Sequence, residues 1–362
     1  MRLDWILARS AGLIGCVKNL LASAAVVWIA SAAYAATPYY SKQLHELYGW
    51  VGFSFTGLQF LVAAAGGYTL LLGVYYRLEA SPGISKSLQF WRVLGSFVRA
   101  PIAVARRGLS PDERLGVLAT ILKGFFGPMM VIILLRSFMG CLYHGAAIVS
   151  SANSGAGFYE TFNRHGFWFA MQLIVVVDVA VFTVGYLVEM RHLKNEIRSV
   201  DPTLLGWAAA LLCYFPFSSM TGYVLGRQVS DFPQFSDPTA HVVLNLTLLG
   251  LMAVYTSASV ALGLKASNLT HRGVVSRGPY SLVRHPAYSC KNLAWWIGAI
   301  PLVTESFSIS LFAGVSAIAS VLGWSLLYVL RALTEEDHLK RVDGEYAAYA
   351  ARVRYRFIPG LA

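Results

Sequence analysis

GFWFAMQLIVVVDVAVFTVGYLV, residues 166–188, is an unbroken run of 23 residues with one ionisable side chain, Asp178. About 20 such residues are needed for a helix to cross roughly 30 Å of hydrocarbon, so this stretch reads as a membrane-spanning helix. Comparable apolar runs lie near residues 17–36, 50–76, 115–135, 204–226 and 240–264, with a close pair near 287–303 and 310–333. Together these predict an all-α, polytopic transmembrane bundle of about eight crossings. Composition agrees: 56% of the 362 residues are hydrophobic and 13% charged, against roughly 25% charged in a soluble domain. The mean hydropathy is +0.57, and a single water-soluble core is excluded.

Basic residues orient the crossings, because lysine and arginine are retained on the cytoplasmic side. Residues 77–114 carry seven, 190–203 carry three and 265–291 carry five (Lys265, Arg272, Arg277, Arg284, Lys291). The alternate connections carry few: Lys42 in 37–47, Arg227 in 227–239, Arg136 and Arg164 in the third, none in 304–309. Both termini are therefore expected in the cytoplasm. The basic start, apolar run and Ala33-Tyr34-Ala35 imitate a cleavable leader, but Lys18 sits far inside it. Cleavage within residues 1–35 would leave the later topology unchanged.

Residues 1–240 are read as an N-terminal transmembrane region and 241–362 as a C-terminal membrane domain. Within the first, 77–114 is too polar to span. Leu88, Phe90, Trp91, Leu94, Phe97 and Val98 alternate there with Arg92 and Arg99 in a helical rhythm. That pattern favours a helix lying on the membrane surface over an ordinary loop. An acid at bilayer depth is costly unless paired, and Asp178 is expected to pair with Lys123, Arg136 or a neighbouring tyrosine rather than to serve transport. His144 and His165 are expected to cap or hydrogen-bond.

The net charge of +11 does not indicate nucleic acid, because the basic residues lie between apolar runs without an aromatic RNA-binding pattern. Cys16, Cys141, Cys213 and Cys290 have no metal or redox spacing. Neither an internal repeat nor a matched pair of broken helices, as in many carriers, is visible.

Chemistry concentrates in two clusters. In HRGVVSRGPYSLVRHPAYSCKNLAWW, residues 271–296, Gly273 and Gly278-Pro279 interrupt regular structure. Pro286 suits the first turn of a helix, so Arg284, His285 and Tyr288 are placed at a helix entrance whose free N–H groups favour an anion. In LRALTEEDHLKRVDGEYAAYAARVRYRFIPGLA, residues 330–362, Glu335 and Glu336 stand where a helix leaves the membrane. Tyr346 and Tyr349 are three apart on one helix face. The clusters flank a two-helix hairpin and should meet at one cytoplasmic surface.

GPY at 278–280, RHPAY at 284–288, the hairpin, TEE at 334–336 and GEYAAYAARV at 344–353 occur in an order that resembles the isoprenylcysteine carboxyl methyltransferase family and its phospholipid methyltransferase relatives. The resemblance covers about residues 271–360. It implies a cytoplasmic pocket for S-adenosylmethionine, with a lipid-like or prenylated acceptor arriving from the bilayer, in a membrane such as a bacterial inner membrane. Carried over by motif, Gly278, Tyr280, His285, Pro286 and Tyr288 would contact the cofactor. Glu335 or Glu336 would contact it too, with Arg284 near its carboxylate or the acceptor. Tyr346 and Tyr349 would close the pocket. Where relatives often have glycine, this chain has Cys290, whose side chain would narrow the pocket.

Methyl transfer from a sulfonium chiefly needs alignment and exclusion of water. A carboxylate acceptor needs no general base, whereas an amine or thiol would need Glu335, Glu336 or His285. Two rival readings share features of the chain. A sterol-reductase-like enzyme would use NADPH beside an arginine-histidine-proline motif, and a non-catalytic carrier or lipid-binding protein would bind neither cofactor. A metal site is not expected, because Glu335, Glu336, Asp337 and His338 are consecutive on a helix and cannot converge on one ion.

Overall fold

The computed structural model describes residues 2–78, 83–227 and 229–361, and their side chains except those of 2–11 and 191. It is 77% helical. Among the described residues, six helices are long and apolar enough to cross a membrane: Gly12–Ala36, Gly57–Leu78, Pro111–Asn153, Phe158–Leu187, Pro238–Lys265 and Leu311–Val342. The chain is thus a polytopic helical membrane protein. It divides into two compact units, Met1–Leu135 and Arg136–Ala362.

In the first unit the helix Arg2–Ala36 packs against Gly57–Leu78 and against Lys86–Arg99. Asn19 secures the latter from inside the apolar helix. Its Nδ2 donates to Gly83 O at 2.8 Å and its Oδ1 accepts from Ser85 N at 3.0 Å. Ser85 then caps the helix by accepting from Leu88 N at 3.1 Å, and Trp91 Nε1 donates to Ala22 O at 3.0 Å. The segment read as interfacial is therefore helical over Lys86–Arg99 and Pro101–Arg107, with Phe97 and Val98 exposed on its outer side. Residues 79–82 of that segment lie outside the described residues. A short hairpin pairs Leu47–Trp50 with Phe53–Thr56, so the fold is not strictly all-α.

In the second unit successive long helices pack on one another: Phe167–Leu187 on Pro238–Leu262, that helix on Pro286–Ile309, and the last on Leu311–Val342. Their apolar centre includes Phe162, Phe167, Leu248, Leu249 and Ala294, with Phe232 stacked on Phe167 at 4.2 Å between ring centroids. The run near 204–226, expected as one crossing, is instead two short helices, Leu204–Leu211 and Phe217–Leu225. Neither reaches the length a crossing needs. Pro216, which has no N–H to continue the ladder, sits at the break. The helix Pro286–Ile309 is continuous over 24 residues but carries Lys291 and Glu305 and is not among the six.

Two polar sites singled out from the sequence find local partners. Tyr255 OH donates to Asp178 Oδ2 at 3.1 Å, which makes the partner a tyrosine on the neighbouring helix. His144 and His165 approach through their Nδ1 atoms at 3.3 Å. A second two-residue ladder joins Ser199–Val200 to Thr270–His271 and fixes the loop before the RHPAY segment. Gly185 allows that loop to pass: a Cβ there would stand 2.0 Å from Ala266 O. Gly185→Ala should therefore lower the thermal midpoint in detergent, with a loss of about 1–3 kcal/mol typical of overpacking. An unchanged midpoint would mean that the loop moves aside freely.

Candidate functional site

Ser310 turns the hairpin, and its side chain caps the second helix by accepting from Ala313 N at 3.1 Å. Residues 284–291 and 328–339 consequently share one end of the helix pair. The chain then leaves the second helix at Asp343, which caps Gly344–Arg352 by accepting from Glu345 N at 2.9 Å. The tail returns across the start of the first helix. Arg284 N and His285 N donate to Tyr355 O and Arg356 O at 3.0 and 2.9 Å, and Ser289 Oγ donates to Phe357 O at 2.7 Å.

Glu336 ties this assembly together. It is 1% exposed, and its Oε1 lies 3.1 Å from Arg284 Nε and 3.2 Å from His285 Nε2. Its Oε2 accepts from Lys340 Nζ at 3.2 Å and from Arg356 Nε at 3.3 Å. Glu335 points elsewhere, since neighbouring positions on an α-helix are about 100° apart. Its Oε2 accepts from Tyr288 OH at 2.8 Å, and its side chain belongs to a cavity wall.

That cavity has a volume of about 100 Å³ and opens to solvent. One wall is a stripe of the first hairpin helix and its lead-in, Arg284, His285, Ala287, Tyr288 and Lys291. The facing wall is Tyr328, Arg331, Thr334, Glu335, His338 and Leu339 from the second. Both follow the three-to-four spacing of one helix face. Asp201, Tyr214, Tyr255, Asn268 and Tyr280 also belong to the lining. Asn268 is a buried junction: its N and Nδ2 donate to Tyr186 OH at 2.9 and 2.7 Å. Its Oδ1 accepts from Arg331 Nη2 and from Tyr214 OH.

Of the residues singled out from sequence, Tyr280, Arg284, His285, Tyr288 and Glu335 line the cavity. Glu336, Pro286, Gly278, Tyr346 and Tyr349 do not. Pro286 is the buried first residue of its helix, and Gly278 holds φ +59° at the start of a short turn. Tyr346 and Tyr349 pack with Val353, Val274 and Leu339 instead of closing over the cavity. Tyr349 acts at one remove, because its OH donates to the carbonyl of Tyr280 at 2.9 Å. Burial pushes that hydroxyl up to about 12, so it keeps its proton as a donor. Cys290 is not part of the lining.

Sequence reasoning passed over Lys291, Arg331, Tyr328 and Tyr255. The signal was present: Lys291 follows Tyr288 by three residues, and Arg331 and Tyr328 precede Glu335 by four and seven. These three continue the same helix faces, whereas Tyr255 lies on the neighbouring helix Pro238–Leu262 and follows neither pattern.

His271 stands behind the cavity, 4% exposed and 2.9 Å from Asp343 Oδ2. Burial, with Arg198 and Lys265 nearby, holds its pKa below the ordinary histidine value, although Asp343 opposes the shift. A depressed pKa means that the folded state favours the neutral ring. Its contribution is whole above the unfolded value of about 6.5 and is lost as the pH falls through the lower folded value. Acidification should therefore lower the thermal midpoint, and His271→Gln should flatten that dependence. Parallel curves for the two proteins would count against this assignment.

Membrane-length helices grouped around a cavity of cations, carboxylates and tyrosines define a polytopic membrane protein with a polar cavity among its helices. The chain belongs to the family described as a protein of unknown function, DUF1295, which matches residues 160–353, more than half of its length. Every cavity-lining residue falls inside that match. The chain is also similar to the cobalt-zinc-cadmium resistance protein CzcN of Cupriavidus metallidurans, 33% identical over 121 residues. That similarity covers 33% of this chain and about half, 51%, of the curated relative. No solved structure matches it.

Proposed function

We propose that the chain is an integral membrane, S-adenosylmethionine-dependent methyltransferase acting on a lipid-like or prenylated acceptor. The observation that carries this reading is the meeting of Arg284–Tyr288 with Glu335 and Glu336 across contacts of 2.8–3.2 Å, beside a cavity that Arg284, His285, Tyr288 and Glu335 line. The residues suit such a cofactor. Tyrosine faces attract a sulfonium, the cations of the wall suit a carboxylate, and Asp201 Oδ2 is buried without a donor, as an acceptor for a hydroxyl or ammonium. When bound, the cofactor supplies an electrophilic methyl group.

The chain's own groups orient and desolvate the reactants. Glu336 is engaged by Arg284, His285, Lys340 and Arg356, so it positions the RHPAY segment. Glu335, held by one tyrosine, is the group free to accept a proton from an amine or thiol. The excess of lysine and arginine in 77–114 and 265–291 supports a cytoplasmic opening in a membrane such as the bacterial inner membrane.

Calorimetric titration of the purified chain with S-adenosylhomocysteine and with NADPH tests the cofactor. Binding of the first is expected; binding of NADPH alone would replace this reading with the reductase. Membrane extracts incubated with methyl-labelled S-adenosylmethionine should yield a labelled amphiphile by mass spectrometry, and none with Arg284→Ala at equal membrane insertion.

A further inference from the structure

Two cations line the cavity further along the hairpin helices. Lys291 is six residues past His285 and Arg331 four residues inward from Glu335, which places both about 6–9 Å deeper along their helices. Tyrosines and a tryptophan surround them. Lys291 Nζ lies 5.4 Å from the Tyr328 ring centroid, 5.9 Å from that of Tyr255 and 5.3 Å from that of Trp295. Arg331 Cζ lies 5.8 Å from Tyr328, 5.1 Å from Tyr288 and 5.3 Å from Tyr214. Both cations thus border the Tyr328 ring.

Among the described residues, neither has a carboxylate within ion-pair distance. The acids nearby take their hydrogen bonds from other groups, Asp178 Oδ2 from Tyr255, Glu335 Oε2 from Tyr288 and Asp201 Oδ1 from Thr203, and none is within ion-pair distance of either cation. Ring faces offset only part of the cost of holding charge away from water. Arg331, 7% exposed, adds one neutral acceptor, Asn268. Two cations facing one hollow, neither paired with an acid among the described residues, make a place for an anion.

We infer that Lys291 and Arg331 form an anion-binding subsite that takes the phosphate or carboxylate head group of a membrane-borne amphiphile. That the amphiphile is the methyl acceptor rests on the proposed function; that the subsite binds anions does not. The head group would lie between the two cations, and the chain would leave along the apolar surfaces of the hairpin helices.

The test uses the full-length protein in neutral detergent with no cofactor, and native mass spectrometry to follow retention of dodecyl phosphate, dodecanoate and dodecanol. The protein should retain the two anions at concentrations about tenfold below the alcohol, the scale of a charge-assisted contact. Lys291→Gln and Arg331→Gln should each remove most of that preference, whereas Lys291→Arg and Arg331→Lys should keep it. If Arg331→Gln fails to fold, Lys291→Gln and the charge-keeping pair decide. Equal retention of anion and alcohol, or a preference unchanged in Lys291→Gln, would overturn the subsite. Displacement of the anion by S-adenosylhomocysteine would assign the cations to the cofactor's carboxylate and overturn the amphiphile. Loss of S-adenosylhomocysteine binding in the wild type would instead strike the proposed function and leave this result standing.

Discussion

Glu336→Ala is expected to destabilise the second unit more than any other single change at the site, by about 3–5 kcal/mol, the cost of breaking a buried charge network from one side. The carboxylate is 1% exposed and meets Arg284, His285, Lys340 and Arg356. Its removal leaves the Arg284 guanidinium, itself 9% exposed, without a counter-charge. Lys340 and Arg356 have 44% and 36% of their side chains exposed, so solvent already screens their share and the penalty falls on Arg284 and His285. The tail is held by backbone hydrogen bonds to the same residues. It should loosen with them and become cleavable by trypsin after Arg354 and Arg356. Glu336→Gln, which keeps shape and loses charge, should fall between the two. A melting curve and tryptic pattern unchanged in Glu336→Ala would remove the anchoring role assigned here.

Much of this architecture is written in local signals. The apolar run at 166–188 emerges within the helical segment Phe158–Leu187, and Pro286 emerges as the first residue of its helix, because length, hydropathy and proline chemistry act within a few residues. The convergence of the two clusters was also legible, since a short connection, expected at 304–309 and found one step later at Ser310 because 304–309 stays helical, forces the ends of a hairpin together. Three things were not. Which of Glu335 and Glu336 faces the cavity depends on the rotation of the helix, and adjacent acids look alike until a neighbour defines a side. The burial of Tyr346 and Tyr349 against Val353 and Val274 depends on where the tail returns, which no local pattern encodes. The break at Pro216 was masked by an apolar composition that reads the same for one long helix or two short ones. Lys291 and Arg331 were hidden differently: a basic residue near a helix end reads as a topology signal, and only the shared face with Tyr288 and Glu335 gives it another meaning.

The same rotation predicts that the neighbour of Glu336 behaves in the opposite way. Glu335 is exposed on the cavity wall, with Tyr288 OH at 2.8 Å as its hydrogen-bond donor, so its loss opens no buried network. Glu335→Gln and Tyr288→Phe should leave the melting midpoint within error of the parent. If the cavity holds S-adenosylmethionine, Glu335→Gln should weaken S-adenosylhomocysteine roughly 10- to 100-fold, the worth of a hydrogen bond to a charged group at about 1.5–3 kcal/mol. Tyr288→Phe should cost less, because the carboxylate stays in place with its orientation relaxed. The double variant should be little worse than Glu335→Gln alone, since Tyr288 acts partly through that carboxylate. Additive losses would mean that the two residues meet the ligand independently. Full affinity in Glu335→Gln would take the carboxylate out of the site and leave the cavity without the group best placed to accept a proton.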